Sequence, residues 1–275
     1  MTQTSCDLAR AMYLDLLKRA LTNWIHGHEE FVPAEPTRIG RLLEKQAIPE
    51  GTMLVREQKF DQVKRAIGQD WPAPQFAHTM IGLRRLDNLQ ACIETVIADG
   101  IPGDLIETGV WKGGATIFMK GVLNVYGEAD RCVWVADSFQ GLPPPNAAAY
   151  PADADDIHFK IDSLKISLEQ VKANFEAYGL LDDQVRFLKG WFSDTLPSAP
   201  IERLSILRLD GDMYESTIDA LKSLYPKLTV GGFIIVDDYC IESCKAAVTD
   251  FRNAHGINEP IEEIDGTGVF WRRAK

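Results

Sequence analysis

The chain is short of basic residues: 29 lysines and arginines stand against 40 aspartates and glutamates, a formal net charge of −11 over 275 residues. That imbalance gives it no electrostatic reason to seek nucleic acid or an anionic membrane. It is also poor in cysteine. Cys6, Cys92, Cys132, Cys240 and Cys244 are odd in number and scattered, with no CxxC pair and no zinc-site spacing around Cys240 and Cys244. Such usage fits a reducing cytoplasm, with Cys132 and Cys240 expected as small core residues beside apolar strands. No apolar run approaches the length of a membrane span, and no basic segment followed by an apolar run opens the chain. A soluble, cytoplasmic protein is expected. No internal repeat or low-complexity stretch competes with a globular reading.

What is present suits one α/β domain with an extension: 45% of residues are hydrophobic and 25% charged. The chain divides near residue 75. Leu8, Met12, Leu16, Leu17 and Leu21 recur at helical spacing over 8–24. Beyond them Pro33, Pro36, Pro49, Gly51 and then Trp71-Pro72-Ala73-Pro74 interrupt any long helix. Residues 1–75 therefore read as a helical extension or lid, and residues 76–275 as the main domain. In the latter, predicted strands at 104–108, 131–136, 184–188, 204–209 and 233–236 alternate with predicted helices. These helices lie at 84–98, 115–126, 164–178, 214–225 and 242–255, with a Pro/Ala/Asp-rich insertion at 143–162. Residues 261–265 and 269–273, around Asp265-Gly266-Thr267-Gly268, read as an antiparallel hairpin. Alternating strands and helices imply a doubly wound parallel sheet, and the hairpin adds one antiparallel strand. Seven strands in that arrangement make the Rossmann-like class I methyltransferase fold.

The first strand of this domain runs into Glu107-Thr108-Gly109-Val110-Trp111-Lys112-Gly113-Gly114. Glycines let backbone approach a ligand closely, although such a turn can also serve only to pack helix on sheet. The GxGxxG dinucleotide spacing is absent, which disfavours NAD-dependent redox chemistry. Asp137, at the end of the second strand, can accept hydrogen bonds from both hydroxyls of a ribose. Glu107 would repel a pyrophosphate but suits a cationic ligand. S-adenosylmethionine carries a sulfonium and an ammonium and no phosphate, so the pair favours methyl transfer. Gly190-Trp191-Phe192 after the third strand can cover an adenine face or merely seal the sheet's edge.

The fourth and fifth strands end in Asp210-Gly211-Asp212 and Asp237-Asp238. Residues two apart in extended chain point the same way, and adjacent parallel strands would bring both pairs to one sheet edge. Four converging carboxylates repel one another unless a cation compensates. An all-oxygen set without histidine or cysteine favours magnesium, manganese or calcium over zinc. Asp237 or Asp238 could also cap the next helix. The assignment expected is Asp210, Asp237 and Asp238 as metal ligands, with Asp212 as the base that deprotonates an acceptor hydroxyl.

These residues, together with His78-Thr79-Met80-Ile81-Gly82-Leu83 and Val135-Ala136-Asp137-Ser138-Phe139-Gln140-Gly141, resemble the macrocin O-methyltransferase family over about residues 13–273. That family methylates deoxysugar hydroxyls on macrolide and aminocoumarin antibiotics. The resemblance implies a magnesium- and S-adenosylmethionine-dependent sugar O-methyltransferase of antibiotic biosynthesis, acting on a small glycoside and forming a homodimer or larger homo-oligomer. By position it implies that Thr79, Met80, Glu107 and Gly109 meet the methionine part of the cofactor. Asp137 and Ser138 would hold the ribose, and Trp191 and Phe192 would flank the adenine. Thr108 and Gly190 fall inside the same cofactor motifs. Segments 29–56 and 213–216 depart from the antibiotic-pathway members; in the family such segments form the lid and help to choose the acceptor. The rival enzyme reading is a catechol-type O-methyltransferase, which also chelates vicinal oxygens through a metal.

Overall fold

A computed structural model of the chain describes residues 3–27, 31–33, 55–57, 59–70 and 75–275. The apolar period over the N-terminus does make a helix, α1 (Gln3–Leu21), but only Leu17 and Leu21 of the five residues that marked it lie on the buried face. Leu14, Leu17 and Leu21 enter the core, whereas Leu8, Met12 and Leu16 stay 62%, 65% and 58% exposed. Both rows recur at helical intervals, so the period alone could not choose between them. The extension is also not purely helical. A short antiparallel pair, β1 (Phe31–Pro33) with β2 (Val55–Glu57), precedes the helix α2 (Gln62–Ile67). Of the expected lid at 29–56, all but 31–33, 55 and 56 lies outside the described residues, as does the 71–74 break.

The main domain keeps the predicted alternation. After α3 (Leu83–Ala98) come β3 (Asp104–Thr108), α4 (Gly114–Tyr126), β4 (Val133–Asp137), α5 (Leu168–Ala177) and β5 (Val185–Lys189). A four-residue helix, α6 (Phe192–Thr195), precedes β6 (Leu204–Leu209), α7 (Tyr214–Leu224), β7 (Leu228–Val236) and α8 (Glu242–His255). The closing strands are β8 (Glu262–Glu263) and β9 (Val269–Arg272). The sheet order is β5-β4-β3-β6-β7-β9-β8, parallel throughout except that β9 runs against both neighbours. Side chains alternate across it and build two cores. Leu105, Val135, Ile206 and Phe233 face α1, α3, α4 and α5, while Ile106, Ala136, Leu207 and Ile234 face α7 and α8.

Two boundaries moved for local reasons. Helix α5 begins at Leu168 rather than 164, because Ser167 caps it by accepting the Gln170 N–H at 3.2 Å. Strand β7 begins at Leu228, ahead of Gly231-Gly232, with a register shift against β6 between Leu204 and Ile206. The insertion folds as three 3-10 turns (Pro151–Asp153, His158–Lys160, Asp162–Leu164). Of the two thiols expected in the core, Cys132 is half-buried and Cys240 exposed; Cys92 and Cys244 are the buried ones. Among the described residues no helix is long and apolar enough to cross a membrane.

Candidate active site

Strand order reverses between β3 and β6, which opens a crevice at their carboxyl ends. The two loops there touch backbone to backbone. Gly109 sits at φ +86°, and a Cβ on it would lie 1.6 Å from the Asp210 carbonyl oxygen. No side chain fits that approach, so glycine is a steric requirement. The glycine turn and the Asp210-Gly211-Asp212 turn are consequently two walls of one cavity of about 270 Å³.

Every residue expected at the cofactor except Thr108 lines that cavity: Thr79, Met80, Glu107, Gly109, Asp137, Ser138, Gly190, Trp191 and Phe192. Thr108 lies behind the wall, fully buried, its hydroxyl facing the Arg208 carbonyl at 3.5 Å. Asp137 accepts the Val110 N–H at 2.8 Å and the Phe139 N–H at 2.7 Å, tying the ends of β3 and β4 together. Burial raises its carboxyl above the usual range and these backbone donors oppose the rise. A carboxylate has about four lone-pair sites, so Asp137 retains acceptor capacity toward the cavity. Ser138 donates to the Gly141 carbonyl at 2.6 Å. Trp191 and Phe192 face the cavity at the start of α6, and Phe192 also packs on the second core.

The other wall is acidic. Asp210 and Asp212 line it; Asp237 and Asp238 are not among the lining residues, but each offers one oxygen, with Asp210, to a cluster within 4.8 Å. Burial, then Asp237, pushes the Asp210 carboxyl up to about 7. Burial pushes Asp212 up to about 6, with the His158 charge opposing. Asp238 is raised well above the ordinary range by burial, then by Asp212 and Asp210. Asp212 holds a left-handed backbone (φ +58°), uncommon for a non-glycine residue; its N–H donates to Asp238 at 3.0 Å and its carbonyl accepts from Ser243 at 3.3 Å.

Two arginines escaped the sequence reading. Arg208, fully buried in β6, donates to Glu107 at 2.5 Å, to Asp210 at 2.7 Å and to Oδ1 of Asp237. Arg85, on α3, donates to Oδ2 of Asp237 and to Asp265 at 2.8 Å. The cluster is therefore partly compensated from within the protein, and both Asp237 oxygens already accept an arginine N–H. Glu107 keeps a buried oxygen, Oε2, with no hydrogen-bond partner, and burial pushes its carboxyl up to about 8 despite Arg208. A charged residue inside the otherwise uncharged β6 was the signal available for Arg208. Nothing in the sequence marked Asp153, which accepts the N–H groups of Tyr214 (2.7 Å) and Glu215 (2.9 Å) and so caps α7 from the insertion. His158, bonded through Nδ1 to Asp156 at 2.7 Å, also belongs to that insertion.

The three-carboxylate set fits a hard divalent cation. Its donors are all oxygen, and their mutual repulsion is what such an ion relieves. The orphaned Glu107 oxygen fits a ligand that brings a positively charged donor.

Over nearly its whole length the chain is similar to known methyltransferases. The family model for macrocin-O-methyltransferase (TylF) matches residues 10–273. The 8-demethyl-8-(2,3-dimethoxy-alpha-L-rhamnosyl)-tetracenomycin-C 4'-O-methyltransferase of Streptomyces olivaceus is 54% identical over 265 residues, 96% of this chain and 93% of that one. The mycinamicin III 3''-O-methyltransferase of Micromonospora griseorubida is 48% identical over 266 residues, 96% of each chain. The solved structure of the O-methyltransferase NovP superposes with a TM-score of 0.84 at 43% identity, covering 97% of this chain and 100% of that one.

Proposed function

The chain belongs to the macrocin O-methyltransferase family and is an S-adenosylmethionine-dependent O-methyltransferase; from that premise we propose that it methylates a sugar hydroxyl on a glycosylated natural product, aided by a divalent cation. The observation that carries the reading is the contact of Gly109 with the Asp210 carbonyl. It supports the reading because the glycine turn and the Asp210–Asp212 turn, which adjoins the acidic cluster, border one cavity, as transfer to a chelated hydroxyl requires. The cofactor supplies an electrophilic methyl group. Thr79, Met80 and Glu107 are assigned to its methionine end, Asp137 and Ser138 to its ribose, and Trp191 and Phe192 to its adenine. The Glu107 Oε2 atom would accept from the cofactor ammonium.

Asp210, Asp237 and Asp238 would hold the cation, for which magnesium is our assignment; bound there, it supplies Lewis acidity that lowers an acceptor hydroxyl's pKa. Asp212 takes the hydroxyl proton. In the metal-free chain its carboxyl is pushed up to about 6 by burial, so it is ionised at neutral pH and free to accept a proton. The left-handed turn and the Asp238 contact with its N–H fix the backbone that carries that carboxyl. The rhamnosyl acceptor in the name of the Streptomyces relative supports a sugar over a catechol. Assembly into a homo-oligomer belongs to the same reading, and the exposed row Leu8, Met12 and Leu16 on α1 offers an apolar face for it.

The test is a panel of glycosides and catechols incubated with labelled cofactor, with and without chelator. Transfer to glycosides that stops on chelation is the expected result. Transfer to catechols alone would overturn the sugar assignment, and full activity in chelator would overturn the cation.

A further inference from the structure

We propose that Arg65, in the N-terminal extension, is a positioning residue of the cofactor site. The proposal rests on the assignment of Thr79 and Met80 to the cofactor. Both residues line the cavity from the segment between the extension and α3, which belongs to neither helix. Something must therefore fix its backbone.

Arg65 does so. Its guanidinium is fully buried and donates to the carbonyls of Thr79 (3.1 Å), Met80 (3.4 Å) and Ile81 (2.7 Å), while Nη1 pairs with Asp70 at 2.8 Å. Nη2 alone meets the three carbonyls, sharing its two N–H groups among them, while Nη1 holds Asp70, so the planar fork ties the segment to Asp70 in one fixed geometry that the single ammonium of lysine cannot reproduce. The backbones also touch: a Cβ on Gly82 would lie 2.4 Å from the Ala66 carbonyl oxygen. On the opposite side, Lys112 of the glycine turn donates to Gln75 (2.7 Å) and Ala77 (3.1 Å), and the Gly114 N–H donates to His78 at 2.8 Å. The segment is thus gripped between the glycine turn and the extension, and Arg65, together with the Leu21 carbonyl that accepts the His78 N–H at 2.8 Å, forms the extension's half of the grip. The extension is then part of the cofactor site rather than only a cover above the acceptor.

The experiment compares Arg65→Lys, Arg65→Met and Asp70→Asn in the full chain, measuring cofactor affinity by calorimetry, KM for each substrate, kcat and Tm. Val248→Ala, in the second core on the far face of the sheet, serves as a control for lost stability. The expected result is a rise of about tenfold or more in cofactor Kd and KM for both Arg65 variants, with kcat at saturating cofactor lowered only a few-fold. Acceptor KM stays within about twofold, and Asp70→Asn gives a smaller shift of the same kind. Arg65→Lys with unchanged cofactor affinity would overturn the proposal. So would a loss that Val248→Ala reproduces at equal Tm. Failure of the unmodified chain to bind cofactor would instead overturn the assignment of the cavity to the cofactor.

Discussion

On the side of β3, β4 and β5 the cavity wall is held by backbone geometry; on the side of β6 and β7 it is held by charge. Asp137 is tied by two backbone N–H groups, and Gly109 is fitted against Asp210 with no room for a methyl group. The second wall carries Asp210 and Asp212, adjoined by Asp237 and Asp238 and by Arg208 and Arg85, and three of these carboxyls are pushed well up from their ordinary range. A wall made by sterics is finished when the chain folds. A wall made by like charges stores repulsion that a cation can relieve, and this is what makes it a place for chemistry.

The largest expected effect comes from removing the steric wall. Gly109→Ala should abolish cofactor binding and activity and destabilise the fold by on the order of 3 kcal/mol, combining a left-handed φ with a backbone collision. Calorimetry and denaturant unfolding read both, and normal binding would break the comparison. On the charged wall, Asp212→Asn should cut kcat by about 10² to 10⁴ while leaving cofactor affinity nearly intact. Full activity would remove Asp212 as the base. Asp237→Ala should abolish activity and its metal dependence, and also cost about 3–5 kcal/mol, because Arg208 and Arg85 lose a buried counter-charge.

A subtler test uses pH. Glu107, Asp210 and Asp212 titrate at about 8, 7 and 6 in the folded chain, against about 4 when unfolded. Their folded values are raised, so in the metal-free chain they favour folding while protonated. That contribution is complete below about pH 4 and is lost as pH rises through the folded values, between about pH 6 and 8. A cation binds the ionised form, so the Tm gain on adding magnesium should grow from about pH 6 to pH 8. A gain that is flat across that window would show that the charged wall is already compensated by its arginines. The smallest effect expected is that of Asp153→Asn. It weakens an N-terminal cap on α7 by about 1 kcal/mol, and it should raise acceptor KM severalfold with cofactor KM unchanged.

Much of this was legible because it depends on local pattern. The strand-helix alternation, the closing hairpin and the position of each glycine turn and aspartate pair come from periods of 2 and 3.6 and from turn chemistry. The face of α1 was not legible, since Leu8, Met12 and Leu16 repeat as regularly as Leu14, Leu17 and Leu21 and only the location of α4 distinguishes them. The start of β7 was hidden because Gly231-Gly232 reads as a turn, whereas in the sheet it is an irregular stretch paired with β6. Asp153 looked like any other acid in an acid-rich insertion until α7 was placed beside it.

For the site the division is the same. The sequence alone determined that four aspartates stand at the ends of two strands and that Glu107 and Asp137 stand at the ends of two others, because strand ends are set by neighbours in the chain. Only the tertiary structure decided how that charge is held. Arg208 reaches Glu107, 101 positions away, and Arg85 reaches Asp237, 152 positions away. Such pairings arise from strand order and helix packing, which bring distant charges together where water is excluded and no local spacing records them.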